Sequence, residues 1–402
     1  MSSHLRYVIA TVLLLATGYF SWRTYLYFFN TTTPTLSIIG MEDGQYYSQE
    51  VSATLKGSSP YKIATLSVWL DGKCVQQNFK INKKKFDYLI HYTTENMTNG
   101  EHAISFEIID GTKACNKNTL KRTFYIDNQG LQATLTMPLQ DCKVQQGRCL
   151  HVQFQANKPM ITATVNALSG TFECFQKSKN SNCFEAFVPV ECDQIVQEYP
   201  LSIEIKDHIE NQLLLENTFQ VVAVPFKKKI LHVAPDRLKS ELEFTPLQER
   251  DLEQALENIT KNSGKEKLWV GAFDIPILMQ GISTEFGVIR TSQERGRTVH
   301  KALDLTAEPK SVIWASNNGI IVLKERYTHS GNTIVIDHGC GIISMYFHLD
   351  DFADVQVGQR VKKGNPLGHM GMTGFANGQH LHWEIRVNNI AVDPMQWTQF
   401  TS

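Results

Sequence analysis

Residues 378–385 read GQHLHWEI, which sets His380 and His382 two positions apart in a stretch where Leu381, Trp383 and Ile385 alternate as a buried strand does. On a strand, side chains at i and i+2 leave the same face, so the two imidazoles stand side by side while Leu381 and Trp383 enter the opposite layer. Such a pair suits a metal ion, for which His is the commonest ligand near neutral pH. It equally suits two polar residues on a sheet face. Upstream, VHKALDL carries His300 and Asp304, and MYFHLDD carries His348. A catalytic zinc takes three protein ligands from His, Asp and Glu and leaves a fourth position for water. His300, Asp304 and one of His380 and His382 meet that demand, and two histidines then remain. No His-Glu-x-x-His helix is present to supply a glutamate base, so histidine must move the protons.

The segment that must position these residues runs from Trp269 to Trp397 and is β in character: GISTEFGVI, SVIWASNNGIIVLKER, NTIVIDHGCGIISMYFHL and QHLHWEIRV are apolar or alternating runs punctuated by glycine. The pattern predicts an antiparallel, curved sheet with hairpins. His338 is expected to be a hydrogen-bonded core residue and Tyr346 a packing residue; His329 and His369 carry no motif.

The order His-x-x-x-Asp, Tyr-x-His-Leu, Gly-x-His-Leu-His closely resembles the lysostaphin and LytM type of zinc endopeptidase, which cuts peptide bonds in bacterial peptidoglycan. EFGVIR, GNTIVIDHGCG and VGQRVKKGNPLGHMGMTGFANGQHLHWEI extend the likeness over the last third of the chain. Carried over, the resemblance implies one Zn²⁺ held by His300, Asp304 and His382, a catalytic pair of His348 and His380 beside it, and an antiparallel β domain over 267–400 crossed by a narrow groove. One position departs from the family: Ala302 stands where glycine is usual between the first His and the Asp. Four residues of straight strand span about 13 Å, too far for both to hold one ion, so the backbone must bend there. Alanine follows only if φ stays negative.

The rest of the chain is expected to deliver this domain. Residues 1–30 hold an apolar run from Tyr7 to Trp22 between Arg6 and Arg23, read as an uncleaved signal anchor, with a cleaved signal as the alternative. Residues 34–128 and 129–228 show short alternating strands, such as Leu66, Val68 and Leu70 in LSVWLDG and Ile104, Phe106 and Ile108 in HAISFEIIDG. These spans match two immunoglobulin-like β-sandwiches, making the chain mainly β. A linker helix is expected over 237–265, with Thr245 as cap, Pro246 at its first position, Gln248 closing a capping box, and Leu252, Leu256 and Ile259 as its apolar face before Gly264. Of eight cysteines, only Cys340 lies beyond residue 200. In an exported chain they predict disulfides, with Cys74–Cys115, Cys142–Cys149 and Cys174–Cys183 as pairs. A formal net charge of −1, without a long basic block, excludes an electrostatic case for a nucleic-acid partner. The expected function is a murein endopeptidase tethered to the inner membrane and facing the periplasm. The alternatives are a non-catalytic relative that activates cell-wall amidases, and an envelope-binding protein that engages a partner through its sandwich arms.

Overall fold

The structure, a computed structural model, describes residues 3–137, 142–179, 181–230, 251–292 and 296–400. The chain divides into two compact units, Met1–Gly130 with His208–Asn211, and Leu131–Asp207 with Gln212–Ser402.

The first unit begins with the helix Ser3–Phe29, about 40 Å long at 1.5 Å per residue. Its apolar side chains are largely exposed, Leu26 being buried, and by length and composition it can cross a membrane or serve as a signal sequence. One six-stranded sheet follows, in the order Thr35–Ile39, Glu50–Leu70, Gly100–Asp110, Lys117–Ile126, Gln45–Tyr47, with Lys73–Thr93 also paired to Glu50–Leu70. Asp71 and Gly72, both with positive φ, close the Leu70–Lys73 hairpin as the Asp-Gly signal requires. The alternating residues Leu66, Val68, Ile104, Phe106 and Ile108 are buried in its core.

The second unit opens with two sheets that share a core. One has five strands ending on Gly170–Glu173 and Lys143–Gln145; the other has four, centred on Cys183–Pro189 and Cys149–Ala156. Val152, Phe154, Val165, Val188, Ile203 and Phe219 fill the space between.

The C-terminal part of that unit is a ten-stranded sheet in the order Gly281–Thr284, Leu303–Thr306, Leu381–Val387, Ile342–Phe352, Gly331–Asp337, Gly319–Tyr327, Arg360–Val361, with short strands on its margins. The central strands are buried on both faces. Trp383, Ile385, Tyr346 and Ile342 point into a core with Trp269, Phe273 and Trp397, and this core continues into Cys149 and Phe187 of the preceding sandwich. The other face carries Val335, Ile343, Met345 and Phe347, covered by a helix at 251–261 through Leu256, with Leu252 and Ile259 beside it. The apolar stripe expected for the linker helix therefore packs on the last domain. Its cap at Thr245, Pro246 and Gln248 lies outside the described residues.

The disulfide expectation is not met: Cys74, Cys115, Cys149, Cys174 and Cys183 are free thiols, so none of the three pairs forms. Cys149 turns into the core shared with the last domain, whereas Cys142 packs on the sandwich core. Spacing along the chain cannot reveal that two nearby cysteines serve different cores.

Candidate metal centre

Asp304 and His382 are direct cross-strand partners on the neighbouring strands Leu303–Thr306 and Leu381–Val387, which places their side chains together on one face. His300 reaches them by a turn. Its own backbone pairs with Val288 and Gly287, and the chain bends at Ala302 before entering the next strand. Ala302 is absent from the residues with positive φ and is fully buried. The bend thus keeps φ negative, and alanine occupies the glycine position without backbone strain.

His300 Nε2 and His382 Nδ1 each lie 3.0 Å from Asp304 Oδ1, and one ligand atom from each of the three residues falls within 4.8 Å of the others. The tautomers follow from the atoms behind the rings. His300 Nδ1 is 3.0 Å from the Glu285 carbonyl, which can only accept, so Nδ1 carries the hydrogen and Nε2 presents a lone pair to Asp304. His382 Nδ1 faces the same carboxylate oxygen, so two imidazole nitrogens and a carboxylate oxygen converge on one point. Such a cluster is satisfied by a proton or by a cation, and its two nitrogens and one oxygen match a transition-metal site.

The electrostatics agree with a site built for positive charge. Burial works against ionising Asp304, but His300 and His382 outweigh it and hold the carboxyl far below the usual range. Burial likewise opposes charge on His382, yet Asp304 and Glu384 push it up to about 9. For His300, burial prevails and its pKa is lowered. Arg290 Nη2 stands 3.6 Å from the outer oxygen of Asp304.

His348 and His380 flank this cluster, their ring centroids 4.8 Å apart. His348 has φ +63°, a left-handed conformation that is uncommon outside glycine and costs about 1 kcal/mol or more. The register of its strand shifts just beyond it, between Leu349 and Asp351, as at a bulge that re-aims a side chain. Its Nδ1 donates to the Thr373 carbonyl at 2.8 Å, and His380 Nδ1 donates to the Gly378 carbonyl at 2.9 Å. The Nε2 of His380 lies 3.7 Å from Asp304 Oδ1. Burial, with the nearby charges of His382 and His380, lowers His348 to about 3, so it is a neutral base at ordinary pH. All five residues singled out in the sequence are thus brought to one end of the sheet.

Residues 298–394 match Peptidase family M23. The C-terminal domain belongs to that family. Within its sequence the M23 domain is similar to the DD-carboxypeptidase/endopeptidase Mpg of Neisseria meningitidis, 33% identical over 31% of this chain and 29% of that protein. It is also similar to the peptidoglycan DD-endopeptidase ShyC of Vibrio cholerae, 32% identical over 30% of this chain and 28% of that protein. The chain spans about three-tenths of the length of these curated relatives. Among solved structures, a peptidase M23 from Pseudomonas aeruginosa aligns over 63% of this chain and 94% of its own, at 22% identity and a TM-score of 0.47.

Other histidines of the M23 domain sit elsewhere. His338 is fully buried between the Asn318 carbonyl and the Ser344 hydroxyl, both at 2.7 Å. Tyr346 packs on the opposite face of the sheet and its hydroxyl meets Ser316 and Ser344. His369 pairs with exposed Asp351. Sequence reasoning missed Glu384, whose Oε2 is 3.5 Å from His382 Nε2. The signal was present, since position 384 repeats the two-residue period that joins 380 to 382.

Proposed function

We propose that this protein is a zinc-dependent endopeptidase that cleaves the peptide crosslinks of bacterial peptidoglycan, with His300, Asp304 and His382 as ligands and His348 and His380 as its proton-transfer pair. The observation that carries this reading is the convergence of three donor atoms within 4.8 Å, beside two imidazoles whose Nδ1 atoms are tied to carbonyls. The names of Mpg and ShyC, which describe DD-bond and peptidoglycan peptidases, supply the substrate class. Bound zinc supplies Lewis acidity toward a peptide carbonyl and lowers the pKa of its water to about 7. The neutral Nε2 of His348 or His380 accepts a proton, and the resulting imidazolium steadies a developing oxyanion or returns the proton to the leaving amine. The N-terminal helix then serves as an inner-membrane anchor facing the periplasm. The spans 34–128 and 129–228 act as immunoglobulin-like arms between anchor and catalyst.

The test is metal content and digestion of crosslinked muropeptides by the full-length chain in detergent. The expected wild type carries one zinc and cuts crosslinks. His382→Ala loses both metal and activity, while His348→Ala keeps its metal and loses about 10²-fold or more in rate. A wild type that holds zinc and leaves every crosslink intact would replace the enzyme with the amidase-regulator reading.

A further inference from the structure

His382, Glu384 and Arg386 follow one another on one face of Leu381–Val387, directly opposite Phe347, Met345 and Ile343 on the neighbouring strand. This is the face covered by the 251–261 helix. The three side chains form a continuous charged line leading away from the metal cluster. Glu384 Oε2 is 3.5 Å from His382 Nε2. Its other oxygen accepts from Arg386 Nε at 2.6 Å. Arg386 Nη1 and Nη2 then donate to the two oxygens of Glu253 on the helix, at 2.6 and 2.8 Å, and Nη1 also donates to Asn389 at 3.0 Å.

Glu384 and Arg386 are almost fully buried, where an ion is tolerated only with its partners in place. The guanidinium fork faces Glu253 bidentately, an arrangement that fixes the Arg plane as well as its charge. With that plane fixed, the Nε bond holds Glu384, and Glu384 aims one oxygen at the ring edge remote from Asp304. The ring face is fixed by a second route. Phe347 stacks on His382 with centroids 5.0 Å apart and planes 2° from parallel, and Phe347 shares its apolar cluster with Leu256 of the same helix.

We propose that the 251–261 helix is a positioning element of the metal site, in which Glu253 holds His382 in its ligating orientation through Arg386 and Glu384. The proposal rests on the reading of His382 as a ligand. A carboxylate behind a ligating imidazole sets the ring's tautomer and direction, and its loss costs about 10- to 100-fold in metal affinity. Glu253 acts one link further out, so its removal falls at the lower end of that range.

The test uses the full-length chain, stripped of metal and titrated with Zn²⁺ against a chromogenic chelator, with the visible spectrum of the Co²⁺-loaded protein as a second readout. Glu253→Gln is expected to weaken metal binding about tenfold and to change the Co²⁺ bands. Glu253→Asp, which keeps the charge, recovers part of the affinity. Glu257→Gln removes the partner of exposed Lys261 on the same helix and leaves affinity within about twofold of wild type. Unfolding of the metal-free proteins checks that Glu253→Gln stays folded, as its half-exposed side chain leads one to expect; if it does not, Glu253→Asp carries the comparison. Wild-type affinity and spectrum in a folded Glu253 variant, with metal lost in His382→Ala, would overturn the relay and leave the ligand set intact. Retention of metal by His382→Ala would instead sink the ligand set and the relay with it.

Discussion

Ala302 lies between His300 and Asp304, the first two residues of the proposed ligand set, and its backbone decides whether their side chains meet. In the turn between His300 and Asp304, alanine stands where the family resemblance leads one to expect glycine, a residue that a positive φ would favour. The bend keeps φ negative and the methyl is buried, so Ala302→Gly gains nothing at the proposed metal site. It loosens the unfolded chain and removes buried carbon, and is expected to cost about 1–2 kcal/mol of stability with metal affinity unchanged. Urea unfolding of the metal-free proteins would show it; a stabilised variant would mean that the turn is strained after all. The chemical types and order of His300, Asp304, His348, His380 and His382 were legible because a strand's two-residue period and the ligand chemistry of zinc both act locally. The twist of His348 into left-handed φ, and the carbonyls of Glu285, Thr373 and Gly378 that set the tautomers, were not. They depend on which loops the fold returns to the site.

At the scale of elements, the alternation of the strands and the apolar stripe Leu252, Leu256, Ile259 were legible, while the partners of each face were not. Leu256 could pack on any apolar surface; only the sheet's register puts Ile343, Met345 and Phe347 beneath it. The hairpin of Gly331–Asp337 and Ile342–Phe352 makes a similar point. Its turn is bolted to the strand Gly319–Tyr327 by His338, which bridges the Asn318 carbonyl and Ser344. Burial disfavours the imidazolium there and lowers its pKa to about 4, against about 6.5 in an unfolded chain. Between those values the unfolded state binds the proton and the folded state does not. This contribution is therefore complete above about pH 6.5 and is lost as the pH falls toward 4. The shift corresponds to about 3 kcal/mol at most. With a chelator present to remove metal, unfolding free energies at pH 7 and pH 4.5 should converge in His338→Gln by a large part of that amount relative to wild type. An unchanged pH slope would mean that other buried groups set the acid limb.

At the scale of the molecule, the sequence divides the two-sheet sandwich of the second unit from the M23 domain, whereas the packing joins them. Phe187 of the sandwich lies 5.1 Å from Trp397 and 6.2 Å from Trp269, ring centroid to centroid. Gln396 donates to the Cys149 carbonyl and accepts from its N–H, both at 2.8 Å. Glu185, fully buried, is held by His151 at 2.8 Å and by Lys267 at 2.7 Å, the lysine coming from the chain that leads into the M23 domain. Separating the two would uncover these aromatics and strand an ionised carboxylate, so the sandwich buttresses the M23 domain. Trp397→Ala is expected to cost about 3–5 kcal/mol. The loss should appear in both parts at once. Hydrogen exchange measured across a urea series should show the sandwich strands Cys149–Ala156 and Cys183–Pro189 and the M23 strand Leu381–Val387 losing protection together, and Trp397→Ala should shift all three to the same lower urea concentration. If the variant destabilises the M23 strand while the sandwich keeps its wild-type midpoint, the shared core does not couple them. An M23 domain cut free near residue 237 would then be the right unit for enzymology.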